Sequence, residues 1–212
     1  MMVSIKVRRG PIALVVALLC THVGCAVAPE SSGNDKAPQS QSALPHHIVY
    51  LIDRSGSMFD FLDEIKSNVM NSVKGLQPDQ DFHVIMFADG QPYEKNPMTL
   101  TPPTEENFRS LAKFFSRMQA RRTVNPIKGI IRAFDVLDKA NNRPGKVIHL
   151  LTDGSFPDNE AIIAAIRAKN AGKDVIIYTY LYGARKSPIA EKVMKLIAAE
   201  NGGLYRYVDP DE

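Results

Sequence analysis

The residues of this chain that could do chemistry are oxygen donors on a short turn. Asp53 ends an apolar run that begins at Ile48, and Ser55 and Ser57 follow it in the pattern D-x-S-x-S. A carboxylate and two hydroxyls, with no Cys or His among them, favour a hard cation such as Mg²⁺ or Mn²⁺ over zinc. Ligands of open α/β sheets bind beyond the carboxyl ends of the strands, so this turn lies where a binding site is expected.

Two further oxygen donors are expected near this turn. Asp153 follows the apolar run Lys146–Leu151, so its carboxylate should reach the same crevice if the two strands are neighbours in the sheet. Thr123 lies in the loop before Asn125-Pro126, which has the form of a helix start. An octahedral cation with one position left open for a partner's carboxylate can be surrounded by Asp53, Ser55, Ser57, Thr123 and Asp153.

The elements that must position these donors alternate between strands and helices. Apolar runs predict strands at Ile48–Asp53, Asp81–Ala88, Lys146–Leu151, Val175–Leu181 and Leu204–Val208, with a short edge strand at Met98–Leu100. Helical spacing and capping signals predict helices after the Ser-Gly-Ser turn, from Thr104, from Asn125-Pro126, over Ala161–Lys169 and from Ser187-Pro188 to Gly202. The alternation predicts an α/β fold with a doubly wound, mostly parallel central sheet and helices on both faces.

Three motifs occur in a recognisable order: D-R-S-G-S-M from Asp53, a threonine before N-P-I-K-G-I, and L-T-D-G around Asp153. From His46 to the C-terminus, the chain resembles the von Willebrand factor type A (VWA) domain with its metal-ion-dependent adhesion site, in the bacterial D-x-S-G-S-M branch. The resemblance implies a Rossmann-like fold and a divalent cation bound through Ser55, Ser57 and Thr123, with Asp53 and Asp153 acting directly or through water. It also implies that the cation coordinates an acidic residue of a protein ligand.

The chain departs from the family pattern in two places. Arg121 and Arg122 precede Thr123, where many members carry small residues. We expect these long side chains to point into solvent and steer an acidic partner toward the site, although they could instead repel the metal. The chain also ends at Glu212, soon after the last predicted strand. The C-terminal helix that couples affinity to conformation in integrin-like members is therefore expected to be missing, and switching of that kind is not expected.

The N-terminal segment predicts export. Positive residues precede the apolar run Ile12–Cys20, which is too short to span a bilayer as a helix. We expect residues 1–25 to be a signal peptide of the lipoprotein type with lipidation at Cys25. His22 departs from the lipobox pattern, and cleavage after Ala26-Val27-Ala28 is the alternative. Residues 26–45, rich in Ser, Gln and Pro, predict a flexible linker to a domain at 46–212, exported and held at the cell envelope by the lipid or otherwise secreted.

Other function classes have little support in the sequence. The net charge of +3 is spread along the chain, which argues against nucleic-acid binding. A haloacid-dehalogenase-like phosphatase would need an aspartate where Ser55 stands, and the turn does not match the G-x-S-x-G elbow of serine hydrolases. We therefore expect a monomeric, non-enzymatic domain for cation-dependent protein interaction or adhesion. The alternative is an accessory subunit of a cell-envelope or ATPase-linked complex that uses the same site.

Overall fold

The computed structural model describes residues 44–121, 125–183 and 187–209, in which strands and helices alternate. The strands are β1 (His47–Asp53), β2 (Asp81–Phe87), β3 (Tyr93–Glu94), β4 (Lys146–Thr152), β5 (Val175–Tyr182) and β6 (Tyr205–Val208). The α-helices are α1 (Leu62–Lys74), α2 (Glu105–Ser116), α3 (Ile127–Leu137), α4 (Asn159–Lys169) and α5 (Pro188–Glu200), and a 3₁₀ helix spans Gly56–Phe61. None of the helices in these ranges has the length and apolar character needed to cross a membrane. The predicted signal peptide, Cys25, nearly all of the linker, Arg122 and Thr123 lie outside the described residues.

The six strands form one sheet in the order β3-β2-β1-β4-β5-β6. Every neighbouring pair is parallel except β2 and β3, which are antiparallel. This confirms the predicted α/β fold with a mostly parallel sheet. β1 and β4 are direct neighbours, with Ile52 opposite Leu151, so the carboxyl ends of these two strands lie side by side as the predicted site requires.

Two hydrophobic clusters cover the two faces of the sheet. On β1, Tyr50 and Ile52 pack with α1 and α2, whereas Val49 and Leu51 pack with α3, α4 and α5. All seven residues of β1 are buried. A strand that is covered on both faces needs apolar side chains at successive positions, which explains the continuous apolar run that precedes Asp53.

The structure differs from the predicted elements in three places. The edge strand lies at Tyr93–Glu94, and not at Met98–Leu100. The latter segment follows one proline and precedes two more, and proline lacks the N–H that a ladder needs. A 3₁₀ helix separates the Ser-Gly-Ser turn from α1. α3 begins at Ile127, one residue later than predicted, and the side chain of Asn125 accepts a hydrogen bond from the Ile127 N–H.

The sheet has two distinct poles. The chain enters at the pole where β1, β2 and β4 begin, because the His46 N–H donates to the Gly145 carbonyl and the Asp81 N–H donates to the His46 carbonyl. β1 and β4 end at the opposite pole, at Asp53 and Thr152. The predicted cation ligands are therefore a full strand length away from the point where the N-terminal segment joins the domain.

Candidate metal site

The carboxylate of Asp53 is the innermost group of the candidate site. Its residue is fully buried, and both of its oxygens accept hydrogen bonds. The backbone N–H of Ser55 donates to Oδ1 over 2.7 Å, and the hydroxyl of Thr152 donates to Oδ2 over 2.7 Å. A bond from an aspartate to the N–H two residues later is the usual Asx turn, so Asp53 itself shapes the loop that carries the two serines.

The two serine hydroxyls lie side by side at the start of the 3₁₀ helix. Ser55 is buried and Ser57 is exposed, and their hydroxyls share a hydrogen bond with the Oγ atoms 3.1 Å apart. Two oxygens bound at about 2.1 Å to one octahedral cation, at a right angle to each other, would be about 3.0 Å apart. The spacing of the hydroxyls therefore fits two neighbouring positions around Mg²⁺ or Mn²⁺.

Asp153 lies on a turn that is packed against α5. Its Oδ1 accepts a hydrogen bond from the Ser155 N–H at 3.0 Å, and the residue is half-buried. Gly154 has a φ of +70°, and a Cβ placed on it would be only 2.6 Å from the Cβ of Ala190. The close approach of α5 and the positive φ together require glycine here, and they hold the Asp153 turn beside the end of β1.

Thr152 joins the two acidic segments, and the sequence reasoning did not single it out. Its hydroxyl donates to Asp53 and accepts a hydrogen bond from the Gly154 N–H at 3.0 Å. The residue is fully buried at the last position of β4. The sequence does contain a signal for this role, because Thr152 interrupts an apolar run directly after two leucines and directly before Asp153. A hydroxyl buried at such a position needs a hydrogen-bond partner.

The buried Asp53 carboxylate has no cationic side chain to offset its charge among the described residues. Burial raises the pKa of Asp53 to about 6, although the hydrogen bonds from Ser55 and Thr152 act in the opposite direction. Arg54 points elsewhere: its guanidinium lies 5.2 Å from the centre of the Tyr93 ring. A buried negative charge beside neutral hydroxyls fits a bound divalent cation, which would supply the missing positive charge.

A basic segment borders the site on the side of β2. Arg121 is exposed, its N–H donates to the Arg54 carbonyl at 2.8 Å, and it forms a parallel bridge with Ser55. Burial, and next the charge of Arg121, lower the pKa of Arg54. On the other side of residues 122–124, the Asn125 N–H donates to the Ala88 carbonyl just after β2. Both flanks of the segment that contains Thr123 thus lie at the carboxyl end of the sheet.

The structure brings together four of the five predicted ligands at one pole: Asp53, Ser55 and Ser57 after β1, and Asp153 after the neighbouring β4. Thr123 lies outside the described residues, so its place among the ligands stays a prediction. Within the described part of the chain, no three His, Cys, Asp or Glu side chains form a potential metal cluster. The predicted ligand set has only two carboxylates, and its other members are hydroxyls, so it does not form a cluster of that kind.

A cavity of about 390 Å³ between β3 and α3 shares no residue with this site. Both of its acidic side chains are paired within the protein: Glu94 binds Arg132 at 2.8 Å, and Asp135 binds Lys169 at 2.8 Å. Glu94 also contacts Nε2 of the buried His83 at 3.0 Å. Because these carboxylates already have partners, the cavity offers weaker grounds for a cation than the pole at Asp53.

Comparison with known protein families and sequences gives a consistent result. The family model of the von Willebrand factor type A domain matches residues 48–155. Inter-alpha-trypsin inhibitor heavy chain H3 of Bos taurus is 27% identical over 185 residues, which cover 82% of this chain and 20% of the relative. The chain therefore spans about a fifth of the length of the curated relatives that it matches.

Two solved structures, an adhesin and a metal-loaded protein, have a similar fold. The pilus adhesin SpaC of Lactobacillus rhamnosus GG, in an open conformation, matches with a TM-score of 0.65 and 13% identity over 80% of this chain and 28% of that one. The manganese-loaded TRAP protein of Plasmodium vivax matches with a TM-score of 0.60 and 14% identity over 79% of this chain and 69% of that one. At this level of identity, the similarity shows a shared fold.

Proposed function

Because this chain belongs to the von Willebrand factor type A domain family, we propose that it is a protein-interaction domain that binds its partner through a divalent cation. The proposed cation is Mg²⁺ or Mn²⁺, held by Ser55, Ser57 and Thr123, with Asp53 and Asp153 acting directly or through water. The observation that carries the proposal is the buried Asp53 carboxylate, without a cationic side chain among the described residues, next to two hydroxyls 3.1 Å apart. A manganese-loaded protein and an adhesin of the same fold support it.

The residues of the site have distinct parts in this function. Asp53 supplies negative charge from the buried side of the site. The hydrogen bond that it accepts from the Ser55 N–H fixes the turn that carries the two hydroxyls. The hydroxyls are neutral and leave the cation electrophilic, so that its remaining position favours an anionic ligand, namely an Asp or Glu side chain of the partner. Arg121, exposed at the rim, would raise the rate at which an acidic partner reaches the site.

We place this domain outside the cytoplasm. The proposal rests on the predicted signal peptide, on Cys25 as a lipidation site and on residues 26–45 as a tether, which together make it a membrane-anchored domain of the cell envelope. We also propose binding without catalysis. His83 and His149 lie within β2 and β4, away from the strand ends, and burial lowers the pKa of His149 to about 3, so this imidazole stays neutral between Tyr50 and Tyr178.

Thermal unfolding in chelator and in rising Mg²⁺ or Mn²⁺ tests the cation directly. A ligand at about 100 times its dissociation constant stabilises by roughly 2.7 kcal/mol, which corresponds to about 5–10 °C for a domain of this size. We expect a saturable shift of that order for the wild-type protein and none for Asp153→Ala. Asp138→Ala, which removes an exposed carboxylate at the other end of α3 from Asn125, should keep the shift. No saturable shift with either metal would contradict the proposal.

Thr152 is expected to position Asp53 for the cation. Thr152→Val keeps the shape of the side chain but removes the donor to Asp53 and the acceptor for Gly154. We expect the free energy of unfolding in chelator to fall by about 1–3 kcal/mol, because buried polar groups lose their partners. Metal affinity should fall by about 10–100-fold, as for other groups that orient metal ligands. Thr152→Ser should restore both quantities, and a valine variant with wild-type affinity would exclude the positioning role.

A further inference from the structure

One phenylalanine beside the proposed cation site faces solvent because of the local helix geometry. In the 3₁₀ helix that follows Ser55, Met58 is fully buried and Phe61 packs against Tyr182, with ring centres 5.9 Å apart. A 3₁₀ helix has three residues per turn, so Met58 and Phe61 lie on the same inward face. Phe59 is then turned outward, and 66% of its surface is exposed.

This exposure sets Phe59 apart from the other phenylalanines. All nine of the chain lie within the described residues, and the other eight are buried or half-buried. A single exposed apolar residue is ordinary on a protein surface. Phe59, however, lies two residues after the proposed ligand Ser57, and aromatic side chains are frequent among the residues that dominate binding energy at interfaces.

The segment on the other side of the Asp153 turn also exposes an apolar side chain. Ile189, in the first turn of α5, is 69% exposed, and its neighbour Ala190 is in contact with Gly154. On the β2 side, the rim is basic instead, with Arg121 exposed next to Ser55. The proposed cation and the basic rim would attract a carboxylate. Phe59 and Ile189 add apolar surface that a carboxylate alone would leave uncovered.

We propose that the partner presents an acidic protein segment in which a large apolar residue adjoins the carboxylate bound by the cation, and that this apolar side chain packs on Phe59. The inference rests on the proposed function, because the cation fixes where the carboxylate lies. Phe59 then selects among acidic segments: those with an apolar neighbour bury its ring, and those with only polar neighbours leave it in water.

Selection from phage-displayed random linear peptides with a fixed central aspartate tests this inference. The purified protein is immobilised in Mg²⁺, and bound phage are released with chelator. We expect large apolar residues to be enriched next to the aspartate for the wild-type protein and for Leu204→Ala, which truncates a 74% exposed side chain just before β6. Phe59→Ala should lose this enrichment. The affinity of the selected peptide should fall about tenfold in Phe59→Ala and less than about twofold in Leu204→Ala.

The outcomes separate this inference from the function on which it rests. Peptides that are released by chelator but show no apolar preference, or a preference that persists in Phe59→Ala, would overturn the role of Phe59 and leave the cation site standing. No chelator-released peptide from the wild-type protein would overturn the proposed function and this inference with it. The metal-dependent thermal shift of Phe59→Ala should equal that of the wild-type protein, and its loss would show that Phe59 acts on the cation site and not on the partner.

Discussion

Replacement of Asp53 by asparagine is expected to abolish both the stabilisation by Mg²⁺ or Mn²⁺ and the capture of a partner. Asparagine has the shape of aspartate, and its amide oxygen can still accept the hydrogen bond that Ser55 donates to Asp53. The change therefore removes the buried negative charge and keeps the turn. We expect the whole metal-dependent shift, about 5–10 °C near saturation, to disappear.

The behaviour of the same variant without metal separates this effect from misfolding. Burial raises the pKa of Asp53, which means that the folded protein disfavours its ionised form relative to water. In chelator at neutral pH, relief of this cost should offset the loss of the hydrogen bond that Thr152 donates to the second Asp53 oxygen, so Asp53→Asn should unfold within a few degrees of the wild-type protein. Asp138→Asn is the matched control and should keep the metal response. Partner capture that survives both Asp53→Asn and chelator would show that the cation is not the docking point.

The second large effect is expected from Gly154→Ala. The added Cβ would lie 2.6 Å from the Cβ of Ala190 and 3.0 Å from Cδ1 of Leu181, at a φ of +70°. Overpacking and the left-handed backbone together should lower the free energy of unfolding by about 2–4 kcal/mol, or about 5–15 °C in unfolding temperature. The metal response should weaken as well, because the turn that carries Asp153 must move. Chemical denaturation in chelator and the Mg²⁺ titration measure the two effects.

Two further variants separate the two contributions to the destabilisation by Gly154→Ala, namely backbone strain at positive φ and the steric clash with Ala190. Gly202 has a similar φ of +66°, and a Cβ added there would meet nothing within 4 Å, so Gly202→Ala should cost only about 1–2 kcal/mol. Ala190→Gly removes the atom that Gly154→Ala would strike. The double variant should therefore be less destabilised than the sum of the two single variants. Simple additivity would show that the clash with α5 is not the cause.

The sequence predicts the framework of the site because its strongest signals are local. The apolar run before Asp53 and the one before Asp153 indicate buried parallel strands, and the turn residues after them place both carboxylates at strand ends. Adjacency of β1 and β4 is a property of the whole sheet, and no local signal in either strand specifies it.

The contacts that tune the site could not be predicted in the same way. The bond between Thr152 and Asp53 joins residues that are 99 positions apart in sequence and depends on the register of β1 and β4. Both strands are buried at successive positions, so they lack the alternation of apolar and polar residues that would fix this register. The outward direction of Phe59 depends on a 3₁₀ turn in place of an α-helical one, a choice made by the packing of Met58 and Phe61. Such features follow from tertiary structure, which overrides local propensity.

The entry of the chain at the pole opposite Asp53 determines how far the candidate site lies from the N-terminal segment. β1 has seven residues, and at about 3.3 Å per residue it separates the two poles by roughly 20 Å. On a protein held by the proposed anchor at Cys25, the site would therefore lie at the far pole of the domain from the segment that attaches it. In that proposed arrangement, partners on an opposing layer of the envelope or on a neighbouring complex would reach the site more readily than proteins that lie flat on the same bilayer.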